Sequence, residues 1–385
     1  MTRQLPTHAD VVIIGGGVMG ASTAFHLAEA GVRNILLLEA EQLAGGSTSK
    51  AAGGIRAQFS DELNIALALR SLDAFEQFHI RPGGDIDLHQ DGYLFLLTTA
   101  DDVSTFERSV ELQNRCGVPS RMLSALEARA LSPLIEIDDV LAAAFCGRDG
   151  RANPEAVVHG YAAGARARGA QLVSGCRVTG ISRRDASITD VQTSLGSVAT
   201  GTVVATAGPW SRSVGALAGV DLPVDPVRRP IWYTEALPAL PPNIPMTIDF
   251  STGFYFHPDG RGLLFGMADH DQPPGFDSPM RPDWLERVGE VAARRIPSLT
   301  DVGIAGGWTG FYEVSPDDNA LIGEFEVPSR FLYATGFSGH GFLQGPAVGE
   351  VMADLVQGKR PFVDVSPLSV DRFASGEIRP EHNIV

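Results

Sequence analysis

Four residues near the start of the chain have the types and spacing to hold a dinucleotide: Gly15, Gly17, Gly20 and Glu39. Gly15 permits a tight turn out of the apolar run Val11 to Ile14, and Gly17 lets backbone approach a pyrophosphate with no side chain between. Gly20 lets the following helix pack closely on the strand. The N–H groups at that helix start, at Val18 and Met19, face the phosphates, where the helix dipole favours negative charge. Glu39, 19 residues after Gly20, ends a second apolar run and is followed by Ala40. Its carboxylate accepts both ribose hydroxyls and repels a cofactor carrying a 2′-phosphate.

The elements that must position these residues can be read along the chain. A strand, a helix and a second strand run to about residue 40. A small-residue loop follows, Gly45-Gly46-Ser47-Thr48-Ser49-Lys50-Ala51-Ala52-Gly53-Gly54-Ile55-Arg56, whose backbone suits packing against a flat ligand. Helices are predicted over about 61–78 and 101–116, and a capped one from Asn153 to about Arg168, with a strand over 91–98 and a strand pair over 171–181. The run 201–210 is a buried strand ending in a glycine turn at Gly208, before Trp210. Residues 224–308 are proline-rich and aromatic with short β segments, an antiparallel texture. A last buried strand, 331–335, leads into Gly336 to Phe342 and a helix from about Pro346 to Gln357.

Composition bounds the rest. A chain of 385 residues with 44% apolar residues and 43 glycines suits a two-domain, turn-rich α/β enzyme. Thirty basic against 46 acidic side chains leave a net charge of −16, which argues against nucleic acid. An anionic small substrate stays open, because one arginine can dominate a pocket. Cys116, Cys146 and Cys176 have no metal or redox spacing and are expected as buried thiols in a reducing cytosol. No signal peptide is visible, and no run approaches the ~20 apolar residues of a membrane span. A soluble, cytoplasmic monomer or homo-oligomer is expected.

Several segments together resemble a known family, and the similarity covers essentially the whole chain. They are the opening glycine turn, Ala205-Thr-Ala-Gly208-Pro209-Trp210, Gly253-Phe254-Tyr255, Gly310-Phe311-Tyr312-Glu313-Val314-Ser315-Pro316-Asp317 and Gly336-Phe337-Ser338-Gly339-His340-Gly341-Phe342. The chain resembles the D-amino acid oxidase-like FAD-dependent amine oxidoreductases, in the glycine oxidase and monomeric sarcosine oxidase branch. The resemblance implies an α/β, Rossmann-like FAD-binding domain of the glutathione reductase type, built from residues 1–85, 150–222 and 326–385. It also implies an α+β substrate domain, residues 86–149 and 223–325, whose antiparallel sheet covers the flavin ring.

The resemblance extends the candidate cofactor residues to Ser47, Thr48, Lys50, Ala51, Ala52, Gly53, Gly54, Val178, Ala207, Gly208, Trp210, Gly310, Gly336, Gly339, His340, Gly341, Phe342 and Leu343. Ser47, Thr48 and Lys50 are donors for pyrophosphate or flavin, unless their loop is merely solvated. Val178 is equally well a core residue. Tyr255 and Tyr312 lie where the family places residues above the flavin, each able to donate to a substrate carboxylate or simply pack in the core. His340, flanked by glycines, is either structural or a positive or hydrogen-bonding group beside the ring. Arg56 is the expected anion holder, against a salt bridge with Asp61 or Glu62 or a place in the flavin environment. His257 and Asp269-His270-Asp271 are taken as turn residues, with no metal.

Three departures carry information. The position of the cysteine that bonds flavin in the sarcosine oxidase branch is Gly310 here, and the histidine of histidyl-flavin relatives is replaced at Lys50; both imply non-covalent FAD. A lysine that assists oxygen reduction is replaced by Leu264. Carboxylate-holding arginines and a lysine of relatives are replaced by Tyr312, Phe59 and Leu343, which favours a bulkier or N-substituted substrate. The resulting reading is oxidation of the C–N bond of a glycine-type or secondary-amine amino acid, with O2 or another electron acceptor. A 2-hydroxy acid or polyol-phosphate dehydrogenase, and a flavoprotein subunit of an electron-transfer complex, stay open.

Overall fold

The structure, a computed structural model, describes residues 5–281 and 283–383. Two sheets dominate it. The first has six strands in the order Leu321–Phe325, Phe331–Thr335, Val203–Ala205, Val11–Ile14, Ile35–Glu39 and Gln171–Ser174. Its last five strands run parallel and the edge strand Leu321–Phe325 is antiparallel. Val11–Ile14 and Val203–Ala205 are buried along their whole length, as expected of a parallel sheet covered on both faces. Leu321–Phe325, the last five residues of the segment expected in the substrate domain, thus belongs to this sheet.

One face of the sheet carries the helices Val18–Glu29, Pro154–Ala167 and Gly341–Val356. The first and last of these meet almost backbone to backbone. A Cβ added to Gly345 would lie 2.5 Å from Val18 Cγ2, and one added to Gly349 2.0 Å from Ser22 Oγ. The C-terminal helix starts five residues before the expected Pro346, which rides inside it. Close packing of the two helices supports the turn whose hydrogen bond the proline cannot make.

The second sheet has eight strands in the order Ile304–Val314, Asp225–Thr234, Gly262–Gly266, Phe254–Asp259, Met246–Asp249, Tyr93–Leu97, Ala142–Cys146 and Arg121–Leu123. It is antiparallel except where Met246–Asp249 runs parallel to Tyr93–Leu97. Its far face packs on Trp284, Val288 and Val291 of the helix Trp284–Arg295. The expected strand pair over 171–181 is two strands in different sheets. Gln171–Ser174 extends the parallel sheet, and Val178–Arg184 begins a separate three-stranded antiparallel sheet.

Candidate active site

A cavity of about 500 Å³ begins at the first glycine turn and ends against the eight-stranded sheet. At its start Gly15 has φ +113°, and a Cβ there would lie 2.3 Å from the Thr206 carbonyl oxygen. The N-cap residue Gly17 gives the helix Val18–Glu29 no side-chain cap and the first turn holds no acidic residue, so the helix end past Val18 is left for a ligand. Thr48 Oγ1 accepts from the Val18 N–H at 3.2 Å, which anchors the small-residue loop beside it. Glu39 accepts from the N–H groups of Gly16 and Glu41 at 2.7 and 2.8 Å. Those bonds fix a carboxylate on the cavity wall with lone pairs to spare. A glycine cradle, an open helix end and an oriented carboxylate fit an adenine dinucleotide.

Nearly all the residues singled out from the sequence line this one cavity. They are Gly15, Gly17, Val18, Met19, Glu39, Ala40, Ser47, Thr48, Lys50, Ala51, Ala52, Gly53, Gly54, Arg56, Val178, Ala207, Gly208, Trp210, Tyr255, Gly310, Tyr312, Gly339, His340, Gly341, Phe342 and Leu343. Two are off the wall. Gly20 lies beneath it, where a Cβ would come within 1.9 Å of the Gly15 carbonyl oxygen, and Gly336 forms a turn at φ +70° against Leu321 and Ser315. Gly310 and Lys50, the two positions read above as lacking a flavin-attaching side chain, adjoin one another: a Cβ on Gly310 would be 2.7 Å from Lys50 Cβ. Ser47 Oγ donates to the Phe311 carbonyl at 2.7 Å, tying the loop to the sheet above it.

At the sheet end the wall is aromatic and aliphatic: Tyr93, Met246, Ile248, Tyr255, Ile231 and Tyr312. Burial pushes the phenols of Tyr255 and Tyr312 up, so both keep their protons and donate. Arg56 makes no salt bridge with Asp61, whose carboxylate instead caps the helix Glu62–Glu76. Its Nη1 donates to the Gln58 carbonyl and its Nη2 to the Asn383 carbonyl at 2.6 Å, while its guanidinium lies 4.2 Å from the centre of the Phe59 ring. His340 meets the same ring edge-on at 5.2 Å. Burial and then Arg56 pull its imidazole down to about 3, so it is neutral. A neutral imidazole brings no positive charge to the cavity wall.

Other expected residues lie off the wall. Leu264 is buried in the sheet beside Tyr233 and His257. The His257 ring bonds the carbonyls of Pro258 and Ala52, stapling the sheet to the loop. Asp269 Oδ1 accepts from the Asp271 N–H within a turn, and among the described residues no cluster of His, Cys, Asp or Glu is placed to hold a metal ion. No helix among them is long and apolar enough to cross a membrane.

Three wall residues escaped the sequence reading. Tyr93 begins a buried strand, with its hydroxyl in the space a Cβ on Gly54 would need. Arg229 is one of a pair, Arg228-Arg229, on a strand whose alternation turns one of them inward. Glu313 is part of the segment quoted above. It accepts from Thr335 Oγ1 at 3.0 Å, and burial pushes its carboxyl up to about 7.

A parallel sheet with a dinucleotide turn, roofed by an antiparallel layer across a shared cavity, is an FAD-dependent oxidoreductase architecture. The chain belongs to the FAD dependent oxidoreductase family, DAO, whose model matches residues 10–355. It is 31% identical to mouse (Mus musculus) mitochondrial dimethylglycine dehydrogenase over 95% of this chain and 44% of that protein, so it spans less than half the length of that relative. Among solved structures, L-proline dehydrogenase from P. horikoshii superposes with a TM-score of 0.92 at 33% identity, over 97% of this chain and all of that one. Glycine oxidase from Geobacillus kaustophilus gives 0.85 at 27% identity, over 95% of this chain and 99% of that one.

Proposed function

We propose that the protein oxidises the C–N bond of an amino acid whose nitrogen is secondary or otherwise substituted, using non-covalently held FAD. The observation that carries this reading is the cavity that joins the dinucleotide turn to an aromatic wall bearing the phenols of Tyr93, Tyr255 and Tyr312 beside Arg56 and Arg229. The similarity to dimethylglycine dehydrogenase and L-proline dehydrogenase, whose named substrates carry a substituted nitrogen, supports this class.

Residues 1–85, 150–222 and 326–385 supply the cofactor side and residues 86–149 and 223–325 the substrate side. The helix end at Met19, with Thr48 held beside it on the Val18 N–H, receives the pyrophosphate and Glu39 the ribose. Ala51 to Gly54, Gly310 and residues 339–343 leave room for the ring. Gly310 carries no thiol and Lys50 no imidazole, so neither offers a covalent attachment. FAD, when bound, accepts a hydride at N5.

The chain's own residues bind, orient and keep water out. Tyr255 and Tyr312, fully protonated, donate hydrogen bonds to the substrate. Met246, Ile248 and Tyr93 close an apolar end that holds the amine in its neutral form, from which the α-carbon gives up a hydride without a protein base. Neutral His340 offers a hydrogen bond rather than charge. The substrate leaves as an iminium that water converts to an oxo acid and an amine. A hydroxy acid would need a base to take its proton, and an imidazole at about 3 is a poor one.

The acceptor is O2 in this reading, with a dehydrogenase as the alternative. The purified yellow protein, mixed anaerobically with N-methylglycine, N,N-dimethylglycine and proline, should bleach with at least one of them. Bleaching by 2-hydroxy acids alone would replace the reading with the hydroxy acid one. Mixing the reduced protein with oxygen then separates oxidase from dehydrogenase by the rate at which colour returns.

A further inference from the structure

We infer that Arg229 holds the substrate's carboxylate, an assignment that rests on the amino acid reading above. The buried arginines Arg295 and Arg372 each have a carboxylate partner, Asp249 and Asp317, both at 2.7 Å. Of the three arginines on the cavity wall, Arg177 lies 3.8 Å from Glu41, whereas Arg56 and Arg229 have no carboxylate partner among the described residues. A buried guanidinium without a counter-charge is costly, so a ligand anion is the natural complement.

The geometry separates the two. Both terminal nitrogens of Arg56 are spent on the carbonyls of Gln58 and Asn383. Arg229 spends only Nη1, on the carbonyls of Arg228 at 3.1 Å and Asp269 at 3.4 Å. Its Nε is buried with no acceptor, and Nη2 has none among the described residues. Arg229 sits opposite Gly310 in the sheet, and its guanidinium lies 5.1 Å from the centre of the Tyr312 ring, at the end of the cavity that takes the substrate. Burial lowers its pKa, and the strongest opposing influences are Tyr312 and Asp269, neither of which forms an ion pair with it. A carboxylate on the free edge of this guanidinium lies next to the Tyr312 phenol. The apolar residues Met246 and Ile248 are left for the nitrogen substituent. The substrate class narrows to α-amino monocarboxylates with an alkylated nitrogen.

The test uses FAD-loaded protein and acid–amide pairs, N,N-dimethylglycine with its amide and proline with prolinamide. Arg229→Gln should raise the concentration for half-maximal bleaching about 30-fold for the acids, the scale of one charged hydrogen bond, and leave the amides unchanged. Arg229→Lys should recover part of the loss. An equal change for acids and amides, or no change for either, would overturn the assignment. Calorimetric titration with propionate provides a readout without turnover. Wild type should bind it at least tenfold more tightly than Arg229→Gln; equal or absent binding in both sinks the inference. If propionate discriminates but no amine bleaches the flavin, the carboxylate site survives and the oxidation reading falls.

Discussion

Glu313 and Asp149 are carboxyls held where a charge is hard to keep. Burial pushes Glu313 from 4.5 to about 7 and Asp149 from 3.8 to about 6, although Asp149 accepts from the Ala57 N–H and from Gln58 Nε2. A raised acid stabilises the fold fully below the pKa of its unfolded form. Between that value and the folded one the unfolded chain releases the proton and the native protein keeps it. Stability is therefore lost as pH rises from about 4.5 to about 7, by at most about 3 kcal/mol for Glu313. Urea unfolding of the FAD-free protein should show this decline between pH 5 and 7.5, and Glu313→Gln should flatten it; an equally steep decline in the variant would remove Glu313 as its source. Glu313 was hard to see in the sequence because an acid following a tyrosine in a strand reads as an outward-facing residue. Here glycines flank the carboxylate on both sides: a Cβ added to Gly208 or Gly341 would lie 3.5 Å from its oxygens. Arg229 was hidden likewise, since only the register of its strand tells which of two adjacent arginines turns inward. The glycine turn and Glu39 were legible because each local shape there admits few residue types.

The first helix is set by contacts too tight for any side chain. At Gly20 an added Cβ meets a backbone oxygen at 1.9 Å, which no rotamer change relieves. Gly20→Ala should push the helix Val18–Glu29 off its strand, and the purified variant should retain little FAD and unfold at lower temperature than wild type. Asn153 makes a contrast. Its side chain caps the helix Pro154–Ala167 by accepting from the Ala156 N–H at 3.1 Å. Asn153→Ala should cost about 1 kcal/mol in chemical unfolding and leave FAD content unchanged. A cap of this kind made the helix start at Asn153 readable, whereas the cap at Asp61 appears only in the structure. The start of the C-terminal helix was misplaced because Pro346 looks like a first-turn residue. What overrode that preference was tertiary: Gly345 and Gly349 bring the helix onto Val18 and Ser22, a partnership more than 300 residues apart. The two strands over 171–181 were visible as strands, but nothing local says that they join different sheets.

At the scale of the molecule, two buried ion pairs fasten distant segments. Arg295 binds Asp249 and Asp139, clamping the helix Trp284–Arg295 to the far side of the eight-stranded sheet. Arg372 binds Asp317 through two bonds of 2.7 and 2.8 Å and so pins the C-terminal segment beside the six-stranded sheet. Arg372→Met would strand the Asp317 carboxylate and should cost about 3–5 kcal/mol in urea unfolding, whereas the double variant Arg372→Met, Asp317→Leu should recover most of it. The two-layer plan was legible from the alternation of buried-strand and proline-rich textures. The place where the layers trade chain was less so: Leu321–Phe325 carries the texture of neither and is claimed by the first sheet through its pairing with Phe331–Thr335. That sheet has a consequence for how the protein is made. Its centre pairs residues 11–14 with 203–205, and those with 331–333. A chain emerging from the ribosome has its opening strand in hand long before the neighbours that will cover it. The dinucleotide turn therefore waits, half-built and apolar, until both neighbouring strands have been made, and chaperone demand should peak before residue 335 leaves the exit tunnel.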